Sequence, residues 1–324
     1  MESEKKDLVY IRDLITLPTE ARIALSLYPD VEISKRVFPL VRYWLDDPVE
    51  DGITELQNCL DTFQLSYDVR EEWGPYKIMV EEWEKWVLLQ GGVNKGFISN
   101  YYKYGLGTIF NTMDNHTNVT QLVMLETVGV LLACIELNSF SNPFNPPMKV
   151  LDLGGGCGAL TIYLKANGFD VFYSDVKDSW TERVAEERFE RRGLEISLWD
   201  GGKIPGAVVC LEVLEHLWNP ISFLVNLSGK MKIGEYLISS ESFSDICQPV
   251  HLDRNWIYQG RAYFSIMENL GFDRVPPEDL ISVMGEYGYI CNGLQLYFLN
   301  NVLKVFKKEV EIPLTVLNAY KGFE

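Results

Sequence analysis

Lys149-Val-Leu-Asp-Leu-Gly-Gly-Gly-Cys-Gly-Ala-Leu-Thr-Ile-Tyr-Leu164 is the stretch that decides the fold. An apolar strand over residues 150–153 breaks into Gly154, Gly155, Gly156 and Gly158, and a helical run follows from Ala159. Strand, glycine turn and helix open a nucleotide-binding βαβ unit. Glycine accepts positive φ in such a turn and lets the backbone approach a ligand closely. The helix start then aims free N–H groups at that ligand. Taken alone, Gly154-x-Gly156-x-x-Ala159 also passes as a dinucleotide fingerprint, so the loop leaves the ligand open.

Outward from the loop, the chain alternates strand and helix, the pattern of a parallel sheet with helices on both faces. Residues 170–175 read as the second strand, ending on the carboxylate of Asp175. That is about twenty residues past the glycine turn, where such a unit places an acid for ribose hydroxyls. Val176 then follows against the adenine. Residues 179–192 form a charged helix and residues 195–200 a third strand. The fourth strand runs from Ala207 to Glu212 and a helix starts near Glu215 and His216. Residues 221–231 continue as helix, 235–240 as the fifth strand, 261–270 as helix and 272–275 as a sixth strand. Residues 297–307 read as a seventh strand closing an antiparallel hairpin.

Two motifs sharpen this. The order Asp152-x-Gly154-x-Gly156-x-Gly158 resembles motif I of the class I S-adenosylmethionine-dependent methyltransferases. Cys210-Leu-Glu-Val-Leu-Glu-His-Leu217 resembles the motif after strand four in small-molecule members, notably the ubiquinone-biosynthesis O-methyltransferases. The resemblance covers residues 149 to about 310 and implies an α/β, Rossmann-like seven-stranded methyltransferase sheet. It also implies that Asp152 and the four loop glycines bind S-adenosylmethionine, with Glu212 beside its methionine end. Asp200 fits the family position that meets the adenine amino group, with Trp199 as an apolar neighbour. Asp200 reads equally as a turn carboxylate before Gly201-Gly202.

The first 148 residues resemble no family and read mostly as helix, giving an N-terminal helical domain (1–148) that covers the substrate side of a methyltransferase domain (149–324). A helix is expected after Pro18 with Thr19 as its cap, and apolar spacing marks helices over 37–45 and 53–63. Trp83 and Trp86 share one face of a further helix. Residues 91–116 are rich in glycine, asparagine and aromatics, and Tyr101, Tyr102 and Tyr104 suit a pocket wall or plain interdomain packing. Residues 121–137 form a long helix, and Pro143, Pro146 and Pro147 make the linker to the first strand.

Composition narrows the function. The 324 residues carry a net charge of −17, with only short basic patches at Arg191-Arg192 and Lys307-Lys308. Binding a phosphate backbone needs clustered cations, so the balance argues against nucleic acid and against anionic lipid. The six cysteines form no CxxC pair, which indicates neither a zinc knuckle nor a disulfide scaffold. The charged start and the absence of a spanning apolar run give the expectation of a cytoplasmic protein without a membrane span. Oligomeric state stays open.

The expected activity is methyl transfer from S-adenosylmethionine to an oxygen or nitrogen of a small molecule. The cofactor carries the methyl; the protein aligns the acceptor, excludes water and removes a proton. Glu215, His216 and His251 are the catalytic candidates, and Trp256 joins the three tyrosines as a substrate candidate. Glu212, Glu215, His216 and His251 are also similar to the metal site of RNA 3′-end 2′-O-methyltransferases, which implies a possible divalent ion and a metal-dependent 2′-O- or catechol-like alternative. A methyltransferase fold that binds the cofactor without turnover, and a nicotinamide-dependent oxidoreductase, are the rival readings.

Overall fold

The computed structural model describes residues 74–117, 119–139, 148–204, 206–243, 250–286 and 291–313, with a few isolated positions besides. The helix expected after Pro18, the run 37–45, most of 53–63 and the proline linker lie outside the described residues.

From residue 74 onward the described chain starts with four helices: α1 (Gly74–Gln90), α2 (Lys95–Tyr104), α3 (Gly107–Thr117) and α4 (Val119–Ser139). Then β1 (Lys149–Leu153), α5 (Ala159–Ala166), β2 (Asp170–Ser174), α6 (Trp180–Arg191), β3 (Ser197–Leu198) and β4 (Gly206–Leu211) follow. A short 3₁₀ turn (Leu214–His216) leads to α7 (Pro220–Ser228) and β5 (Tyr236–Ser240). The chain continues through α8 (Arg261–Asn269), β6 (Phe272–Val275), α9 (Pro277–Glu286), α10 (Gly293–Tyr297) and β7 (Lys304–Lys308).

The seven strands lie in the order β3-β2-β1-β4-β5-β7-β6. β7 runs antiparallel to both neighbours and every other pairing is parallel. The order reverses between β1 and β4, and open sheets of this kind bind ligands at the carboxyl ends of strands beside such a reversal. Successive residues of a strand point to opposite faces. Val150, Val171, Val209, Ile238 and Val305 thus enter one core, while Leu151, Val208, Leu237 and Phe306 enter the other.

Some limits differ from the sequence reading. The seventh strand begins at Lys304, because residues 293–302 turn as helix; Asn292 caps that helix reciprocally with Gln295. The third strand shrinks to two residues. After β4 comes one 3₁₀ turn, and Asn219 caps the true helix with Pro220 in its first turn.

Helix α4 is packed into the sheet's own core: Val128, Leu131, Leu132 and Ile135 share a cluster with Val150, Leu160 and Val209. Its apolar residues therefore belong physically with the sheet, upstream of residue 149. Among the described residues no helix is long and apolar enough to cross a membrane.

Gly158 shows how tightly the first turn is built. It holds φ at +78°, and an added Cβ would lie 2.6 Å from Cε1 of Phe189. Ala at this position meets both left-handed strain and overpacking, which together cost about 2–4 kcal/mol. Gly158→Ala is expected to lower stability by that amount in urea denaturation, with an unchanged m-value.

Candidate active site

A cavity of about 430 Å³ opens at the carboxyl ends of β1, β2 and β4. Gly154, Gly156, Asp175, Val176, Trp199 and Glu212 line it from the sheet. The helical side supplies Met79, Ile98, Tyr101, Tyr102, Thr108 and Thr112.

The glycine loop is held from inside. The N–H groups of Gly154 and Gly155 both donate to the carbonyl of Ser174, at 2.8 and 3.1 Å. Gly156 N–H donates to Asp175 Oδ2 at 2.7 Å, and Gly158 N–H to the carbonyl of Gly155 at 2.8 Å. The chain itself thus consumes these four N–H groups. Asp152 lies under the turn, outside the cavity lining. Its Oδ2 accepts the Thr161 hydroxyl at 2.6 Å. Burial, opposed by that bond, lifts its pKa to about 6.

Asp175 also accepts Val176 N–H at 2.6 Å and the Thr181 hydroxyl at 3.2 Å. Burial raises its pKa, against the pull of the Val176 and Gly156 bonds. Trp199 lines the same end of the cavity, and its buried Nε1–H has no partner. Asp200 is exposed and accepts Gly202 N–H at 2.8 Å, the turn-carboxylate arrangement; it does not line the cavity.

Part of the helical wall was hidden in the sequence. Glu82 on α1 accepts the backbone N–H groups of Leu106, at 2.8 Å, and Gly107, and so fixes the start of α3. That helix carries Thr112 onto the loop, where its hydroxyl lies 2.9 Å from Cys157 Sγ. A Cβ at Gly156 would fall 2.7 Å from Thr112 Cγ2, so the glycine permits this approach. Threonines at i and i+4 carry no signal that separates a wall from packing.

Glu212 sits past the tip of β4 with φ of +50°, a conformation that costs a non-glycine residue free energy and clusters at functional sites. The Ser242 hydroxyl donates to its Oε2 at 2.6 Å. Glu215 is buried and accepts Ser242 N–H on Oε1 at 3.0 Å, while its Oε2 has no partner. Burial, then the charge of Glu212, holds Glu215 well above the usual carboxylate range, so it keeps its proton.

His216 lines the cavity. Its Nδ1 lies 3.1 Å from the carbonyl of Val250, so Nδ1–H donates there and Nε2 keeps the lone pair. Burial first, then His251, pushes the imidazole down to about 4, leaving it neutral at neutral pH. The His216 and His251 ring centroids are 4.9 Å apart. One candidate ligand atom from each of Glu215, His216 and His251 lies within 4.8 Å of the others. The Glu212 carboxylate is not in that set.

Of the substrate candidates, Tyr101 and Tyr102 line the cavity, whereas Tyr104 and Trp256 are about half exposed and stand outside its lining.

Residues 131–290 match a family model described as a methyltransferase domain. The chain is 32% identical over 92 residues to a ubiquinone biosynthesis O-methyltransferase of Rickettsia felis, covering 26% of this chain and 37% of that protein. It is 32% identical over 104 residues to the protein of the same name from Rickettsia conorii, covering 30% and 35%. The chain thus spans little more than a third of the length of these relatives. Among solved structures, mitomycin 7-O-methyltransferase MmcR is similar at 12% identity and a TM-score of 0.45, over 82% of this chain and 74% of that one. Residues 131–290 are thus a methyltransferase domain, and its motif and strand order agree with the class I S-adenosylmethionine-dependent type.

Proposed function

We propose that the protein transfers a methyl group from S-adenosylmethionine to an oxygen or nitrogen of a small molecule. The observation that carries this reading is the polarity of the loop. A dinucleotide pyrophosphate draws on outward N–H donors of the glycine turn as well as of the helix start, and in the turn those of Gly154, Gly155, Gly156 and Gly158 are spent within the chain. The cavity wall instead presents the carboxylates of Asp175 and Glu212, which suit a cationic ligand. Asp175 would hold the ribose, Trp199 and Val176 the adenine, and Glu212 the amino-acid end. Bound there, S-adenosylmethionine supplies an electrophilic methyl on a sulfonium. His216, neutral and with Nε2 unoccupied, takes the acceptor's proton.

A second reading is favoured by the orphaned Oε2 of buried Glu215 beside His216 and His251. Those three residues would hold a divalent ion that lowers the pKa of an acceptor hydroxyl. Carboxylate with two imidazoles suits zinc better than magnesium.

Calorimetric titration with S-adenosylhomocysteine and with NAD tests the first reading. Binding of the former without the latter is expected; NAD binding alone rules it out. Repeating the S-adenosylhomocysteine titration and a methyl-transfer assay after EDTA dialysis separates the two readings: activity lost with cofactor binding intact assigns the ion.

A further inference from the structure

We infer that the acceptor is an uncharged hydroxyl compound, and that Tyr102 Oη from the helical wall hydrogen-bonds the hydroxyl presented to His216. The inference rests on the cofactor reading above and specifies the acceptor for the same cavity.

The first argument is the orphaned phenol. Tyr102 lines the cavity, yet its Oη is buried without a hydrogen-bond partner. A buried hydroxyl left unpaired costs free energy, and such groups in native proteins have an explanation. The ring centroid of Tyr102 stands 5.6 Å from that of His216. Burial raises the phenol's pKa from an already high value, so Oη keeps its proton. Tyr102 is therefore a donor.

The second argument is complementarity. His216 has only Nε2 left after the Val250 bond, and that nitrogen accepts. One hydroxyl satisfies both groups: its oxygen accepts from Tyr102 and its proton goes to His216. An amine nitrogen with one lone pair would spend that pair on Tyr102 and have none for the methyl.

The third argument is charge. No described residue lining the cavity is Lys or Arg, while Asp175 and Glu212 are there. Arg254 and Lys230 touch the wall residues Trp218 and Trp199 across their ring faces but do not enter the lining. A carboxylate or phosphate on the acceptor would be desolvated beside carboxylates with no lysine or arginine in the lining to pair it, which is unfavourable. The remaining wall, with Met79, Ile98, Leu217 and Phe223, takes an apolar body.

Two probes that differ only in charge test this: 3,4-dihydroxybenzamide and 3,4-dihydroxybenzoate, titrated into protein saturated with S-adenosylhomocysteine. The amide is expected to bind at least tenfold tighter than the acid. Tyr102→Phe should weaken the amide about three- to tenfold, the worth of one hydrogen bond, with S-adenosylhomocysteine affinity and melting temperature unchanged. Equal or tighter binding of the acid, no binding of the amide, or an amide affinity that Tyr102→Phe leaves intact would each overturn the inference. Failure of the wild-type protein to bind S-adenosylhomocysteine would strike the cofactor reading instead.

Discussion

Asp175→Ala is expected to weaken S-adenosylhomocysteine binding by about a hundred- to a thousandfold, with a much smaller effect on the melting temperature. The carboxylate has two tasks. It stands at the cavity wall, where the proposed reading has it accept ribose hydroxyls, and it braces the glycine loop through Gly156 N–H and Val176 N–H. Hydrogen bonds to a charged partner contribute roughly 1.5–3 kcal/mol each. Losing two toward the ligand at the lower end of that range gives about 3–4 kcal/mol, and each 1.4 kcal/mol is tenfold. Asn at the same position keeps one acceptor oxygen and should fall between, at about tenfold. Calorimetry on wild type, Asp175→Ala and Asp175→Asn measures the series. An alanine variant within threefold of wild type would mean that the cofactor does not rest on this carboxylate.

The parts of this site that were legible in the sequence are those where backbone geometry restricts the residue. Gly154, Gly156 and Gly158 hold positive φ, and Asp175 follows the end of β2, so spacing alone located them. The strand limits were legible where apolar runs are continuous, as in β1 and β4. They failed for residues 297–303, whose apolar residues face the core from a helical turn, because a short apolar run has no period that separates helix from strand. Part of the helical wall escaped for a different reason. Thr112 and Glu82 act through contacts with residues 24 to 45 positions away, and no local pattern encodes such partners. Asp200 shows the converse: a family position predicted adenine contact, but the Gly201-Gly202 turn takes its carboxylate for the Gly202 N–H. Helix α4 packs into the sheet's core although a proline-rich stretch separates it from β1 in the sequence, because prolines mark a break in helix and not the limit of a core.

His216→Asn carries the largest expected effect on turnover. The asparagine amide nitrogen can occupy the place of Nδ1 and keep donating to the carbonyl of Val250. What it lacks is the lone pair at Nε2. General-base catalysis contributes typically 10²–10⁴-fold, so kcat should fall by about that factor. Binding of S-adenosylhomocysteine should stay within about threefold, since Asp175 and the loop carry it, and loss of even the Val250 bond would cost stability only about 1 kcal/mol. His251→Ala distinguishes the base from an ion. If His216 acts alone, removing His251 leaves an imidazole still fixed by Val250, and kcat should fall less than tenfold. If Glu215, His216 and His251 hold a divalent ion together, His251→Ala should lower kcat as far as His216→Asn, with excess zinc restoring part of it. Single-turnover methyl transfer at saturating cofactor measures both variants on the chemical step. A His216→Asn protein that turns over within threefold of wild type would remove the imidazole from the reaction and leave the proton to bulk water.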